Sequence, residues 1–309
     1  LKVVFMGTSE FAVPSLAKLI DSPYQILGVV TQPDRPRGRG RKIVFSPIKE
    51  LALQHGLEVF QPERIKHEAA IDMLRNWETD VIVVASYGQI LPVEVLDLPR
   101  LGCINVHASL LPHYRGAAPI QRAIMAGDKT SGVTTMFMNE GLDTGDIILQ
   151  KPVEIDAEMD HGELQNVMAL AGADLLIDTM AVLASGSSPR RKQDEHRSSY
   201  APMLTRAEEK IDWNDDAAAI KNRIRALSPQ PAAYTSFNGT RFKIFKCRLI
   251  NQDAQGATAQ ITEITPAGFA VQTGKGVLEI LEVQKQGKKR IASREFIKGF
   301  NLAPGDILS

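Results

Sequence analysis

Four short runs of almost purely apolar residues constrain this chain most: KVVFMG at 2–7, QILGVVT at 25–31, VIVVA at 81–85 and CINV at 103–106. A strand with one solvated face alternates polar and apolar residues, whereas a strand buried on both faces does not, as in parallel sheets covered by helices. Helical patterns separate these runs. Phe11–Ile20 is one, and SPIKELALQHG (46–56) is another, with Ser46 as N-cap, Pro47 as first residue and Gly56 as stop. MDHGELQNVMALAGADLLIDTMAVLA (159–184) is expected to be a long amphipathic helix closing the domain. The βαβα order predicts an α/β fold around a parallel, Rossmann-like sheet.

Residues 185–206 are rich in Ser, Pro and mixed charge and read as a linker. Beyond it, AAAIKNRIRAL (217–227) predicts a helix carrying Lys221, Arg223 and Arg225. Short strands with Gly turns follow and predict a small barrel or sandwich. The expected organisation is a catalytic domain over 1–189, a linker over 190–206 and a second domain over 207–309. At 309 residues with 44% hydrophobic content, the chain can bury two cores. Apolar stretches such as Val81–Ala85 are too short to cross a bilayer, and LKVVFMGT reads as a strand rather than a signal peptide. Cys103 and Cys247 sit far apart, which argues against a disulfide framework or a thiolate metal site. The expectation is a cytosolic protein with no membrane segment.

The zero net charge hides an asymmetry. Residues 1–189 hold 16 Lys and Arg against 23 Asp and Glu, net −7, while 190–309 hold 20 against 13, net +7. A basic second half fits a polyanionic partner such as nucleic acid, and equally an ordinary Lys-rich surface. PDRPRGRGRK (33–42) adds Arg35, Arg37, Arg39, Arg41 and Lys42, interleaved with Gly and Pro, so no regular element is expected there. The stretch suits phosphate contact. A solvated charge run is the alternative.

Asn105 and His107 lie two apart on one strand and therefore on one side of it, at the carboxyl end where open α/β sheets bind ligands. An amide there can donate to a developing oxyanion, and an imidazole can relay a proton near neutral pH. GLDTGDI (141–147) sets Asp143 between Gly141 and Gly145, glycines that allow a tight turn to thrust a carboxylate into a cleft beside His107. A capping Asn, a structural His and a plain Asx-turn account for the same residues taken singly. GTSEF (7–11) lacks the second glycine of a dinucleotide turn, so a nicotinamide or flavin is not expected.

Taken together, INVHASLLPHYRGAAPI, GLDTGDI, the Arg-rich loop and the basic β half resemble the methionyl-tRNA formyltransferase family over essentially the whole chain. The resemblance implies a Rossmann-like domain followed by a smaller OB-like β-barrel. It implies 10-formyltetrahydrofolate as co-substrate and initiator methionyl-tRNA as partner; the six His are scattered, so no metal is expected, and the expected state is a monomer. By similarity Asn105, His107 and Asp143 match the catalytic trio. Ser109, Leu110, Leu111 and Pro112 match the folate-binding segment, and Tyr87, Gly88, Gln89 and Ile90 in ASYGQIL match the pterin-pocket lining. Arg39 falls where the family engages the tRNA end. His113 stands where Arg is common, and SPQPAAY (228–234) lacks an often-seen Trp or Gly. Both departures bear on RNA contact rather than on the reaction.

The implied chemistry is formyl transfer to the α-amine of the esterified methionine. His107, assisted by Asp143, moves the proton, and Asn105 holds the oxyanion. Three rivals remain at this level: the same chemistry on an amino-sugar nucleotide or glycinamide ribotide, a non-catalytic RNA-binding protein on an enzyme fold, and a nucleotide-dependent oxidoreductase.

Overall fold

The structure is a computed structural model that describes residues 1–37 and 42–309. Residue contacts divide the chain into two units. The first holds residues 1–119, 130–154 and 165–201; the second holds 120–129, 155–164 and 202–309.

Through Ala201 the elements run β1 (Lys2–Gly7), α1 (Val13–Ile20), β2 (Gln25–Val30), β3 (Arg35–Arg37), β4 (Lys42–Val44), α2 (Pro47–Gln54), β5 (Val59–Phe60) and α3 (Glu68–Asn76). They continue with β6 (Val81–Ala85), α4 (Val93–Leu96), β7 (Cys103–His107), β8 (Arg115–Gly116), α5 (Pro119–Ala126), β9 (Thr130–Phe137), β10 (Ile147–Glu154), α6 (His161–Ala184) and β11 (Tyr200–Ala201). Seven strands form one sheet in the order β10-β9-β7-β6-β1-β2-β5. From β7 to β5 the pairing is parallel. β9 lies antiparallel to β7 and β10 antiparallel to β9, so the sheet is mixed.

All five β6 residues are buried, as a strand covered on both faces must be. On one face Val4, Met6, Val30, Ile82, Val84 and Cys103 pack with Ile71 and Leu74 of α3 and Val95 of α4. Burying a side chain of this size contributes roughly 1.5–3 kcal/mol. On the other face α6 approaches closely at Gly172, where a β-carbon would lie 3.0 Å from Val106 Cγ1. Ser46 caps α2 as expected, its hydroxyl accepting from the Lys49 N–H at 3.1 Å.

Three local expectations need correction. The Arg-rich stretch is not without regular structure: β3 and β4 pair antiparallel, with Arg35 opposite Val44 and Arg37 opposite Lys42. Backbone pairing needs no apolar pattern, and Ile43 and Val44 bring β-branched residues to it. At its base Lys49 pairs with Asp34 and sits over the Phe45 ring. Burial works to raise the Asp34 carboxyl, but bonds from Lys49 and Gln61 outweigh it and hold the group below its ordinary value. Second, α6 is not amphipathic in sequence. Its buried stripe (Leu164, Met168, Leu175, Leu176, Met180) is regular, but Val167 and Leu170 occupy the exposed side. Third, its length and composition suffice to cross a membrane, contrary to the expectation of no such stretch. However, 56% of the relevant window is buried within the protein, as in a core helix.

In the second unit, α7 (Ala217–Leu227), β12 (Ala233–Phe237), β13 (Thr240–Asn251), β14 (Ile261–Ile264), β15 (Phe269–Gln272), β16 (Val277–Lys285), β17 (Ile291–Ala292) and α8 (Ser293–Phe300) follow. The strands pair antiparallel in the order β12-β13-β16-β15-β14, with β17 added on β16. That path is open, so the described strands form no closed barrel. Ile220, Ile224 and Leu227 of α7 and Phe296 of α8 bury against Phe242, Ile244, Leu278 and Ile280 of the sheet. Residues 155–164 belong to this unit through contacts such as Lys221 with Glu158 and the Ser228 hydroxyl with Asp160.

Candidate active site

Cys103, Asn105 and His107 share one face of β7, because successive side chains alternate across a strand. The first belongs to the apolar cluster beneath α3 and α4, while the other two continue that face to the strand's carboxyl end. There the β9–β10 loop brings in Asp143. Asn105 Nδ2 donates to Asp143 Oδ1 at 3.3 Å, and His107 Nδ1 lies 3.5 Å from Asp143 Oδ2. Residues from two separate segments thus meet in one cluster. Both His107 and Asp143 are largely buried, with side chains 6% and 12% exposed.

How the loop presents this carboxylate differs from the expectation drawn from its glycines. The left-handed residue is Asp143 itself, at φ +53°. Asp is among the few non-glycine types that adopt this region with modest strain. Gly141 and Gly145 matter instead for space. A β-carbon on Gly141 would stand 2.1 Å from Thr144 Oγ1, and one on Gly145 would stand 1.7 Å from the Phe137 carbonyl oxygen.

His107 meets acceptors on both sides. Nε2 is 3.0 Å from the Tyr114 carbonyl, which can only accept, so Nε2 carries a hydrogen. Nδ1 faces the Asp143 carboxylate across 3.5 Å, longer than a hydrogen bond. Oδ2 also accepts the Gly116 N–H at 2.9 Å. The Tyr114–Gly116 turn therefore holds the imidazole and the carboxylate at once.

The segment Ser109–Pro112 is bound into the protein. Its four carbonyls accept from Thr134 Oγ1 (2.7 Å), the His113 N–H (3.1 Å), Gln150 Nε2 (2.9 Å) and the Ser199 N–H (3.2 Å) in turn. The Ser109 hydroxyl donates to the His113 carbonyl at 2.6 Å, and Leu111 packs with Met136 and Ile147. Tyr87 is buried in the β6 cluster, its hydroxyl without a partner among the described residues, and burial pushes the phenol's ionisation up. Gly88 takes φ +87°. Gln89 accepts from the Ile65 N–H at 2.8 Å, and Ile90 is 84% exposed.

A cavity of about 340 Å³ opens at the other end of β7, lined by Val93, Leu96, Asp97, Cys103, Met138 and Glu140 among others. It contains none of the eight residues matched to folate in the sequence. It nevertheless shares β7 with Asn105 and the β9–β10 loop with Asp143. Of the cationic loop, Arg35 is exposed, Arg37 and Lys42 lie in the β3–β4 ribbon, and Arg39 and Arg41 lie outside the described residues. The Cys103 thiol is pushed up to about 12 by burial, so it offers no nucleophile. Among the described residues no group of His, Cys, Asp and Glu is placed to hold a metal ion.

A formyl transferase family model matches residues 1–180, and a formyl transferase C-terminal domain model matches 203–301. The methionyl-tRNA formyltransferase of Syntrophomonas wolfei is 52% identical over 309 residues, spanning 100% of this chain and 98% of that one. That of Clostridioides difficile is 44% identical over 308 residues, spanning 100% of both. The chain belongs to the methionyl-tRNA formyltransferase family. The same fold extends to WlaRD, a sugar 3N-formyl transferase solved with dTDP and 5-N-formyl-THF, at TM-score 0.67 and 22% identity over 94% of this chain and 99% of that one.

One participant went unread in the sequence. The polar stretch expected as a linker runs back along the site, where Gln193 Nε2 donates to the carbonyls of Asp143 and Gly145, each at 2.8 Å. A lone Gln in a Ser- and charge-rich stretch carries no signal that separates it from solvated linker residues.

Proposed function

We propose that the chain transfers a formyl group from 10-formyltetrahydrofolate to the α-amine of methionine esterified to initiator tRNA. The observation that carries this reading is the meeting of Asn105, His107 and Asp143 at the carboxyl end of β7. The neutral amine attacks the formyl carbon, forming a C–N bond and placing negative charge on the formyl oxygen. Asn105 Nδ2, which makes a 3.3 Å contact to Asp143 Oδ1, turns to that oxygen. The proton lost by the amine passes to the His107–Asp143 pair. N10 of the folate takes up a proton as its bond to the carbon breaks, so no net proton is gained or lost. The 3.5 Å gap between imidazole and carboxylate is longer than a hydrogen bond and suits a site that tightens on substrate.

The cavity beside Cys103 is the site we assign to the pterin. Asp97 and Glu140 on its wall offer acceptors to the amino-pyrimidine edge, and Asn105 lies two residues, about 7 Å, further along β7. By the family resemblance Ser109–Pro112 and Tyr87–Ile90 are further folate contacts, the turn held by its bonds to Thr134 and Gln150 and Gln89 by its bond to Ile65. The cationic residues Arg35, Arg37, Arg39, Arg41 and Lys42 and the basic stretch 190–309, whose antiparallel sheet is read as a partly open OB-like module, take the tRNA. An open antiparallel sheet and the +7 charge of residues 190–309 support that assignment. The reading carries a monomer in the bacterial cytosol, where charged tRNA and folate are found.

One assay separates the acceptors. With formyl-folate supplied, methionyl initiator tRNA should be formylated and glycinamide ribotide and a UDP-amino sugar should not. Preferential formylation of either small acceptor overturns the tRNA reading.

A further inference from the structure

We infer that Gln193 is a positioning residue for the Asp143 carboxylate, an inference that rests on Asp143 having the role given above. Each hydrogen-bonding capacity of its amide is used. Nε2 gives its two hydrogens to the carbonyls of Asp143 and Gly145, both at 2.8 Å. Oε1 accepts from Arg115 Nε at 3.0 Å and Nη2 at 2.9 Å. Donors face only carbonyls and the oxygen faces only a cation, so the amide has one satisfactory orientation.

Arg115 is itself buried and fixed. It forms a two-pronged pair with Glu195, Nη2 to Oε1 at 2.7 Å and Nη1 to Oε2 at 2.8 Å. The bond from Arg115 holds the Glu195 carboxyl below its ordinary value. On either side of Arg115, the Tyr114 carbonyl accepts from His107 and the Gly116 N–H donates to Asp143. Gln193 thus ties the backbone that presents the carboxylate to the turn that receives it. Further along the same stretch, Ser199 bonds the backbone of Pro112, Tyr114 and Arg115. Arg191 pairs with Ile147 just beyond the Asp143 loop.

The geometry explains why an amide stands here. Asp143 occupies a left-handed conformation that its own residue type only tolerates, and the loop must be held against relaxing. A carboxylate at 193 could still bind Arg115 but would present acceptors to two carbonyls. An apolar residue would take this donor from both carbonyls and this acceptor from Arg115 Nε.

The test compares Gln193→Ala, Gln193→Glu and Asp143→Asn in the full chain, formylating methionyl initiator tRNA. Displacing a catalytic group by about 1 Å can cost about 100-fold. Both Gln193 variants should lose at least about 10-fold in kcat, with KM for either substrate changed by less than about 2-fold. Gln193→Glu should show no rescue despite keeping its bond to Arg115. Wild-type kcat in Gln193→Ala overturns the inference. So does a loss that an active-site titration attributes wholly to unfolded protein. Should Gln193→Ala fail to fold, Gln193→Glu decides by the same comparison. Normal turnover in Asp143→Asn overturns the underlying catalytic reading instead, however Gln193 behaves.

Discussion

A β-carbon on Gly145 would stand 1.7 Å from the carbonyl oxygen of Phe137. That oxygen belongs to β9, whose backbone is fixed by its neighbours and by the Phe137 N–H donating to Asp146 at 2.9 Å. The loop that carries Asp143 therefore turns where only glycine fits.

Gly145→Ala must push this loop away from β9, because backbone cannot yield as a side-chain tip can. Overpacking of this kind costs about 1–3 kcal/mol, and kcat should fall about 100-fold. Gly141→Ala meets the Thr144 side chain, which can yield as backbone cannot, and should be milder on both counts. Urea midpoints and turnover measured side by side check the ordering. Equal effects would show that the close approach does not govern the loop.

Asn105→Ala removes the only side-chain amide within reach of Asp143 Oδ1 on β7. Turnover should fall by about 10² to 10³, while folate and tRNA affinities stay near wild type. Near-normal kcat, read in a single-turnover assay, would falsify the oxyanion role.

The Arg122–Glu208 pair gives the second unit an acid-sensitive contact. Arg122 first, then the Thr205 N–H at 2.8 Å and hydroxyl at 2.9 Å, hold the Glu208 carboxyl down at about 2, against an ordinary value of 4.5. A depressed carboxylate contributes stability fully present above about pH 4.5 and lost as pH falls toward about 2. Glu208→Gln should flatten the pH dependence of unfolding in that window by at most one proton, about 1.4 kcal/mol per pH unit. Urea unfolding at pH 2.5 to 5, steps chosen on the order of half a unit, reads this directly. An unchanged slope removes the pair from the account.

Neutralising Arg37, Arg39 and Lys42 together should weaken tRNA binding and flatten its salt dependence. Each lost phosphate contact lowers the slope of log K against log salt by about 0.7 to 0.9. A wild-type salt titration would show that the β3–β4 ribbon does not touch RNA.

What the sequence revealed depended on whether a force leaves a periodic trace. Burial does: Val81–Ala85 and Cys103–Val106 read as covered strands, and Ser46 read as a cap, because apolar runs and cap chemistry are local. The β3–β4 ribbon stayed hidden because it is held by backbone pairing between residues that read as loop. The helix α6 misled in a different way, since Val167 and Leu170 on its exposed side erase the polar contrast. The positions of Asn105 and His107 followed from strand alternation alone. The Gln193 amide did not, because its partners are carbonyls that any sequence supplies.

The second unit is assembled from three separate stretches, two of them inside the region matched by the first family model. Lys221, Arg225 and Ser228 of its final stretch bind Glu158, the Ala157 carbonyl and Asp160, all of which lie well before residue 202. A chimaera that exchanges only residues 202–309 with a distant relative will therefore inherit mismatched neighbours. Grafting the second unit onto another member demands that 120–129 and 155–164 travel with it.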